Sequence, residues 1–235
     1  VNGFYEFLNL GTGRYVVVDT GGCLAERKVI LSPIAFRAMD WEHKRITAAL
    51  TKAQVEKSPH IDTAKPVSRQ HETAYYGYYG YTPYWAGDYL WGAYPYPYLG
   101  AGPALSAADL AREQRWNWAA KEREDPHLRS AQAVTGYYIQ ATDGDIGHVE
   151  DFLVDDQSWT IRYMLVDTTN WWAGKKVLVA PAWITRVDWA ESKVHVTVTR
   201  AQIKTSPEYD PAREVDRAYE TQLHDHYGVP RYWRE

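Results

Sequence analysis

Arg14-Tyr15-Val16-Val17-Val18-Asp19-Thr20 returns as Arg162-Tyr163-Met164-Leu165-Val166-Asp167-Thr168. Working outward from this pair, Arg14 to Trp85 lies over Arg162 to Trp233 without a gap, at a constant shift of 148 positions. Roughly a third of the paired positions are identical, including Lys28-Val29/Lys176-Val177, Pro33/Pro181, Asp40-Trp41/Asp188-Trp189, Ser58-Pro59/Ser206-Pro207 and Tyr84-Trp85/Tyr232-Trp233. A unit of this size repeated once implies two small domains, and chemistry seen in one copy is to be checked in the other.

The second copy shows what each unit is. Val134 to Gln140 carries aromatic and β-branched residues, and Asp143-Gly144-Asp145 turns the chain into His148 to Val154. After a reversal at Asp155-Asp156-Gln157-Ser158, Trp159 to Thr168 is apolar on both alternating faces, as a central or covered strand must be. Lys176 to Ala180 and Thr185 to Trp189 follow. Lys193 to Thr199 then alternates, with Val194, Val196 and Val198 facing inward. Six short strands with hairpin-length connections predict a mainly β unit, a small antiparallel barrel or barrel-like sheet. Thr199 caps one helical turn, Pro207 ends it, and Pro211 to Tyr227 has helical spacing; the first-copy equivalent is expected near Lys65 to Tyr76. The expected layout is a first repeat over 1–85, a Tyr/Gly/Pro-rich linker plus helix over 86–130, and a second repeat with its C-terminal helix over 131–235.

The first copy is incomplete. Counterparts of Gly136 to His148 would fall before Val1, so its N-terminal strands are missing from this sequence. Because soluble proteins avoid open sheet edges, either Gly3 to Leu10 is expected to stand in as a strand, or another segment or subunit closes the gap.

From Tyr75 to Tyr98, 12 of 24 residues are Tyr or Trp, and Gly, Pro and Ala make up most of the rest. Three readings stand for this run. Its opening recurs around Tyr227-Gly228 and Tyr232-Trp233, which argues for packed core; exposed tyrosines would make a partner surface; stacking on single-stranded nucleic acid would require Arg and Lys that are absent here. The partner reading singles out Tyr89, Trp91, Tyr94, Tyr96 and Tyr98, with Trp171-Trp172, whose first-copy equivalents are Cys23-Leu24. Beyond this run, Ser106 and Asp109 open a helix reaching to about Arg123.

A net charge of −4 offers no basic field for phosphates, so no nucleic-acid partner is expected. With 45% apolar and 24% charged residues the chain is globular rather than disordered. The lone Cys23 excludes an intrachain disulfide or thiolate metal site and fits a reducing, cytoplasmic setting, peripheral to the inner membrane if a partner brings it there. Tyr89 to Ala108 has membrane-spanning length without charge, but its prolines and glycines break a helix repeatedly; no transmembrane helix and no signal peptide are read. The chain opens on Val1, which leaves room for a segment removed upstream.

Candidate chemistry is thin. Asp143, Asp145, Asp155 and Asp156 could suit a hard cation but lack the EF-hand pattern and fit turns. His224 and His226 diverge on a helix and read as surface residues. Asp19/Asp167 and Asp40/Asp188 end strands where a carboxylate fixes a turn, and Arg14/Arg162 is expected to pair with one of them. Trp41/Trp189 and Trp85/Trp233 read as core anchors. No catalytic residue, cofactor or metal is expected.

Gly144-Asp145-Ile146-Gly147-His148-Val149-Glu150-Asp151, then Arg162 to Asp167, then Lys176-Val177-Leu178-Val179-Ala180-Pro181, resembles the PRC-barrel family over about Thr135 to Pro207. The first copy matches from Arg14 onward. The resemblance rests on Gly144, Gly147, Arg162, Asp167 and Pro181, with Trp189 shared by both copies. It implies a docking β-barrel without catalytic residues, as in the cytoplasmic domain of the photosynthetic reaction centre H subunit and the C-terminal domain of the ribosome maturation factor. The expected function is a non-enzymatic scaffold that binds an unidentified protein partner, or itself as a homo-oligomer, with membrane association only through a partner. Alternatives are an accessory of photosynthetic or membrane electron-transfer complexes and a ribosome-assembly factor.

Overall fold

Backbone pairing brings the two copies out as the same series of elements. The computed structural model describes residues 4–7, 11–20, 27–40, 42–63, 65–99, 126–169 and 174–233, with only the backbone described for 4–7, 126 and 127. Cys23, Trp41, Trp171, Trp172 and the helix expected over Ser106 to Arg123 therefore lie outside the described residues.

The chain divides into two units, Val1–Ala133 with Asp155–Thr160, and Val134–Val154 with Ile161–Glu235. In the first, β1 (Phe4–Phe7), β2 (Thr12–Asp19), β3 (Lys28–Leu31), β4 (Phe36–Asp40), β5 (Arg45–Ala48), β6 (Val67–Ser68) and β7 (Pro126–Ser130) make a five-stranded sheet, β3-β2-β1-β7-β6, and a separate β4-β5 hairpin. Helices α1 (Lys52–Lys57) and α2 (Arg69–Tyr79) follow the hairpin, and a single turn, α3 (Ala131–Val134), follows β7. In the second, β8 (Tyr138–Ala141), β9 (Gly144–Val154), β10 (Ile161–Asp167), β11 (Lys176–Val179), β12 (Ile184–Asp188) and β13 (Lys193–Val196) form one sheet ordered β11-β10-β9-β8-β13-β12. Helices α4 (Arg200–Thr205) and α5 (Arg217–Tyr227) come last.

Residues 28–31, 36–40, 45–48, 52–57 and 69–79 map onto 176–179, 184–188, 193–196, 200–205 and 217–227 at the repeat's shift. The local causes repeat as well. Thr51 with Gln54 and Thr199 with Gln202 form matching capping boxes, and Gly80 and Gly228 close α2 and α5 in the left-handed conformation. Lys44 and Ser192 take the same positive φ in the hairpin turns, where Asp40 accepts from the His43 N–H and Asp188 from those of Ala190 and Glu191.

The protein is mainly β, with three departures from the expected layout. The second sheet is not wholly antiparallel: β8 and β13 run parallel, which requires a long connection, and the whole of β9 to β12 supplies it. The start of the expected strand from Val134 is instead occupied by α3 and a turn, so β8 begins at Tyr138. The helix expected from Pro211 starts at Arg217, where the Asp216 carboxylate accepts from the Tyr219 N–H.

A short strand forms within the expected Gly3 to Leu10, and a segment from further along the chain joins the same sheet. Phe4–Phe7 pairs with β2, and β7 comes back from the segment ahead of the second copy to pair with β1 at Tyr5↔Ser130 and with β6 at Val67↔Leu128. Leu128 and Val67 are buried there. Among the described residues no helix is long and apolar enough to cross a membrane.

Gly147 shows why the second copy needs its glycines. Its φ is +136°, and a Cβ there would lie 2.1 Å from the Asp167 carbonyl oxygen of β10; at Gly144, φ +138°, the nearest atom is the movable Arg200 side chain. Gly147→Ala is expected to lower stability by about 2–4 kcal/mol and Gly144→Ala by less, since backbone cannot step aside as a side chain can. Thermal denaturation of the two variants tests this ordering.

Candidate functional site

Two features stand out: a buried carboxylate built the same way in both units, and an exposed run of tyrosines in the first.

In the first unit β2 delivers Arg14 and Tyr15, α2 delivers Arg69 and Glu72 one turn apart, and the chain beyond α2 returns Tyr84 and Trp85. Glu72 is fully buried. Tyr15 donates to its Oε1 at 2.8 Å, and the Arg69 guanidinium lies 3.1 Å from Oε2. Arg69 also covers the Trp85 ring at 3.9 Å, while Arg14, itself buried, lies 3.8 Å over the Tyr84 ring and donates to the Leu90 carbonyl. In the second unit Tyr163 donates to Glu220 at 3.0 Å and Arg217 at 2.8 Å. Arg217 covers Trp233 at 4.3 Å, and Arg162 covers Tyr232 at 4.0 Å. Tyr232 adds a 2.6 Å hydrogen bond to Glu220.

The physics explains the repetition. A lone carboxylate moved out of water is costly, and a cation with several donors is what makes its burial tolerable. Each cation then rests on an aromatic face, an attraction worth about 2 kcal/mol for the largely buried Arg69 and about 0.5–1 kcal/mol for the exposed Arg217. One acid thus binds strand, helix and returning chain together. Burial, reinforced by the Glu72 charge, pushes the Tyr15 hydroxyl far above its ordinary value, and burial with Glu220 does the same to Tyr163. Burial drags the Arg14 guanidinium below its usual value, against the pull of Tyr84.

The units differ at one neighbour. Where α2 has Tyr76, α5 has His224, which is buried and not the surface residue expected from sequence, because Trp183 and Trp233 pack against its ring. Its Nδ1 lies 3.0 Å from the Pro230 carbonyl, which can only accept, so Nδ1 carries the proton. Nε2 faces the Tyr163 hydroxyl at 3.1 Å. His226 diverges from it, to the Gln202 carbonyl at 2.8 Å.

The expected partner acids of Arg14 and Arg162 are corrected in part. Arg14 and Arg162 cover tyrosine rings, while Asp40 and Asp188 hold turns and Asp167 accepts from the Thr169 N–H. Glu72 and Glu220 were missed. The available signal was an identical Arg-x-x-Glu at matching positions in both copies, with Arg69/Arg217 three residues ahead of the acid. Asp155 is spent on its own turn, accepting from Gln157 and Ser158, and Asp143 accepts from the Arg200 N–H. Among the described residues no group of three or more His, Cys, Asp or Glu could hold a metal ion. Trp189 is half-buried against Tyr137.

The aromatic run divides. Tyr75, Tyr76 and Tyr84 are core, and so is Trp91, only 4% exposed with its indole N–H on the Ser158 carbonyl at 2.8 Å; it is not part of a free surface. Tyr89, Tyr96 and Tyr98 are 61%, 49% and 51% exposed. Rings of Tyr94, Tyr96 and Tyr98 touch one another, with Tyr94 and Tyr98 centroids 4.8 Å apart. The loop before them is tight: a Cβ on Gly87 would meet the Gly92 backbone at 2.4 Å.

No protein-family model matches the chain. An uncharacterized protein of Deinococcus radiodurans is 40% identical over 122 residues, covering 52% of this chain and 39% of that protein. The match thus spans about two-fifths of the relative's length.

Glu72→Ala should cost about 3–5 kcal/mol by leaving the largely buried Arg69 without its counter-ion, and Glu220→Ala less, because the Arg217 side chain is 56% exposed, both read as a fall in the thermal midpoint. A second expectation concerns alkali. The folded chain holds the Tyr15 and Tyr163 protons more tightly than the unfolded chain, whose tyrosines ionise near 10.0, so their contribution is complete below that pH and drains away as pH rises through the folded values. Absorbance titration should show exposed tyrosines ionising reversibly first, with Tyr15 and Tyr163 ionising only alongside alkaline unfolding.

Proposed function

We propose that the chain is a non-enzymatic interaction protein built from two PRC-barrel-like modules that engages protein partners through the Tyr94-Pro95-Tyr96-Pro97-Tyr98 face.

The barrel-like curl is supported by a length. In the second sheet β11 and β12 are the outer strands, yet only Ala180 to Trp183 separate them in sequence. Six strands laid flat would hold the outer pair about 24 Å apart, five spacings of roughly 4.8 Å. The link reaches about 17 Å at full extension. A sheet joined in this way must bend its edges toward each other.

The interaction reading draws on what the copies share and on the exposed tyrosines. Several identical residues described in both units cap helices, fix turns or surround a buried acid. The tyrosine face presents rings whose two side-chain torsions lose little entropy on contact. The observation that carries the proposal is three rings in mutual contact, with Tyr96 and Tyr98 exposed and Tyr94 half-buried beneath them.

The double variant Tyr96→Ser, Tyr98→Ser should fold as the parent does and bind its partner, or itself, at least about tenfold more weakly, as loss of interface anchors does. Native affinity capture and sedimentation compare the two proteins side by side. Unchanged capture and unchanged association state would remove the face from consideration.

A further inference from the structure

The first unit packs tyrosine at positions where the second does without it. Tyr75, Tyr76 and Tyr78 of α2 correspond to Leu223, His224 and His226 of α5, although both units build the same helix at the matching place. A buried leucine fills a core with no hydroxyl to satisfy, so packing alone does not call for the tyrosines.

The rings of the first unit form an unbroken file. Trp85 meets Tyr76 edge-on with centroids 5.2 Å apart, and Tyr76 lies 6.4 Å from Tyr15. Tyr15 meets Tyr75 at 5.2 Å, Tyr75 meets Tyr79 at 4.9 Å, and Tyr79 meets Tyr78 at 4.8 Å. The file starts at the half-buried Trp85, crosses the core at Tyr15 and ends at Tyr78, which is 41% exposed. Among the described rings Tyr75 alone links the inner group to Tyr79.

Charge is graded along the file. The Arg69 guanidinium lies 3.9 Å over Trp85, while Tyr15 donates to the Glu72 carboxylate at 2.8 Å. A missing electron is a positive charge, which the cation repels from Trp85 and the carboxylate draws to Tyr15. A tyrosine that loses an electron must also shed its hydroxyl proton, and burial pushes the Tyr15, Tyr75 and Tyr76 hydroxyls above their ordinary value. Glu72 stands at hydrogen-bond distance from Tyr15 as the base that takes it.

We propose that this file is a path for oxidising equivalents, carrying an electron vacancy from Trp85 through Tyr76, Tyr15, Tyr75 and Tyr79 to Tyr78 at the surface. The source is a small one-electron oxidant of the oxyl-radical class, which takes an electron from Trp85 while the indole N–H proton leaves to water. Tyr15 then passes an electron by way of Tyr76 to the Trp85 radical, which recovers a proton from water. The Tyr15 proton moves to Glu72 and leaves a neutral tyrosyl radical. An electron from Tyr78, passed through Tyr79 and Tyr75, restores Tyr15 as Glu72 returns its proton, and Tyr78 releases its own proton to water. A soluble hydrogen-atom donor such as ascorbate reduces the Tyr78 radical there. This function is independent of the interaction reading and of the tyrosine face.

The test generates azide radicals by pulse radiolysis in a solution of the whole chain with a nitroso spin trap, and maps the adducts by peptide mass spectrometry. Tyr78 should carry more adduct than Tyr96, although Tyr96 is the more exposed at 49%. Tyr75→Leu, which copies the second unit, and Tyr79→Phe, which keeps a ring that is far harder to oxidise, should each lower the Tyr78 adduct several-fold and leave that of Tyr96 unchanged. Glu72→Gln should shift adduct from Tyr78 back to Trp85. Equal Tyr78 labelling in the parent, Tyr75→Leu and Tyr79→Phe proteins overturns the proposal. So does a parent chain in which Tyr78 carries no more adduct than Tyr96, a comparison that needs no variant to fold.

Discussion

A carboxylate taken fully out of water has to be answered by charge and hydrogen bonds, and in each unit that single demand ties the strand to the helix and the helix to the chain beyond it. Glu72 draws Tyr15 from β2 and Arg69 from its own helix, and Arg69 in turn lies on Trp85. Glu220 repeats the pattern with Tyr163, Arg217 and Trp233. Apolar packing alone would let α2 and α5 settle on their sheets in several registers. The acid permits few, because each alternative strands a charge in low dielectric.

The acid also explains which residues the copies keep. Arg14/Arg162, Tyr15/Tyr163, Arg69/Arg217, Glu72/Glu220, Tyr84/Tyr232 and Trp85/Trp233 are identical pairs, and all belong to one contact network per unit. Outside it the copies also keep cap and turn residues such as Thr51/Thr199 and Asp40/Asp188, while other positions drifted. Tyr76 corresponds to His224, and Tyr75 to Leu223, because a core position accepts any side chain that fills it and satisfies its own polar atoms.

The same logic accounts for the unequal sheets. A strand edge has no preference for the origin of its neighbour, only for hydrogen bonds and cover. In the second unit β8 supplies both and unites six strands. In the first, β7 supports β1 from far along the chain and buries Leu128, but at a different place on the strand, so the β4-β5 hairpin remains a sheet of its own.

Much of this was legible without coordinates. The Arg-Tyr repeat implied two units, the alternation at Val194, Val196 and Val198 an inward face, Thr199 and Gln202 a cap, since each depends on neighbours within a few residues. What the sequence by itself determined is therefore local: mainly β units, their turns and their helix starts. Tertiary structure alone decided that β8 runs parallel to β13, that Pro126–Ser130 joins the first unit's sheet, that Trp91 is core while Tyr96 and Tyr98 face water, and that Glu72 and Glu220 are buried. Each of these depends on which distant segment arrives alongside, and a partner dozens of residues away leaves no periodic trace at the position it covers.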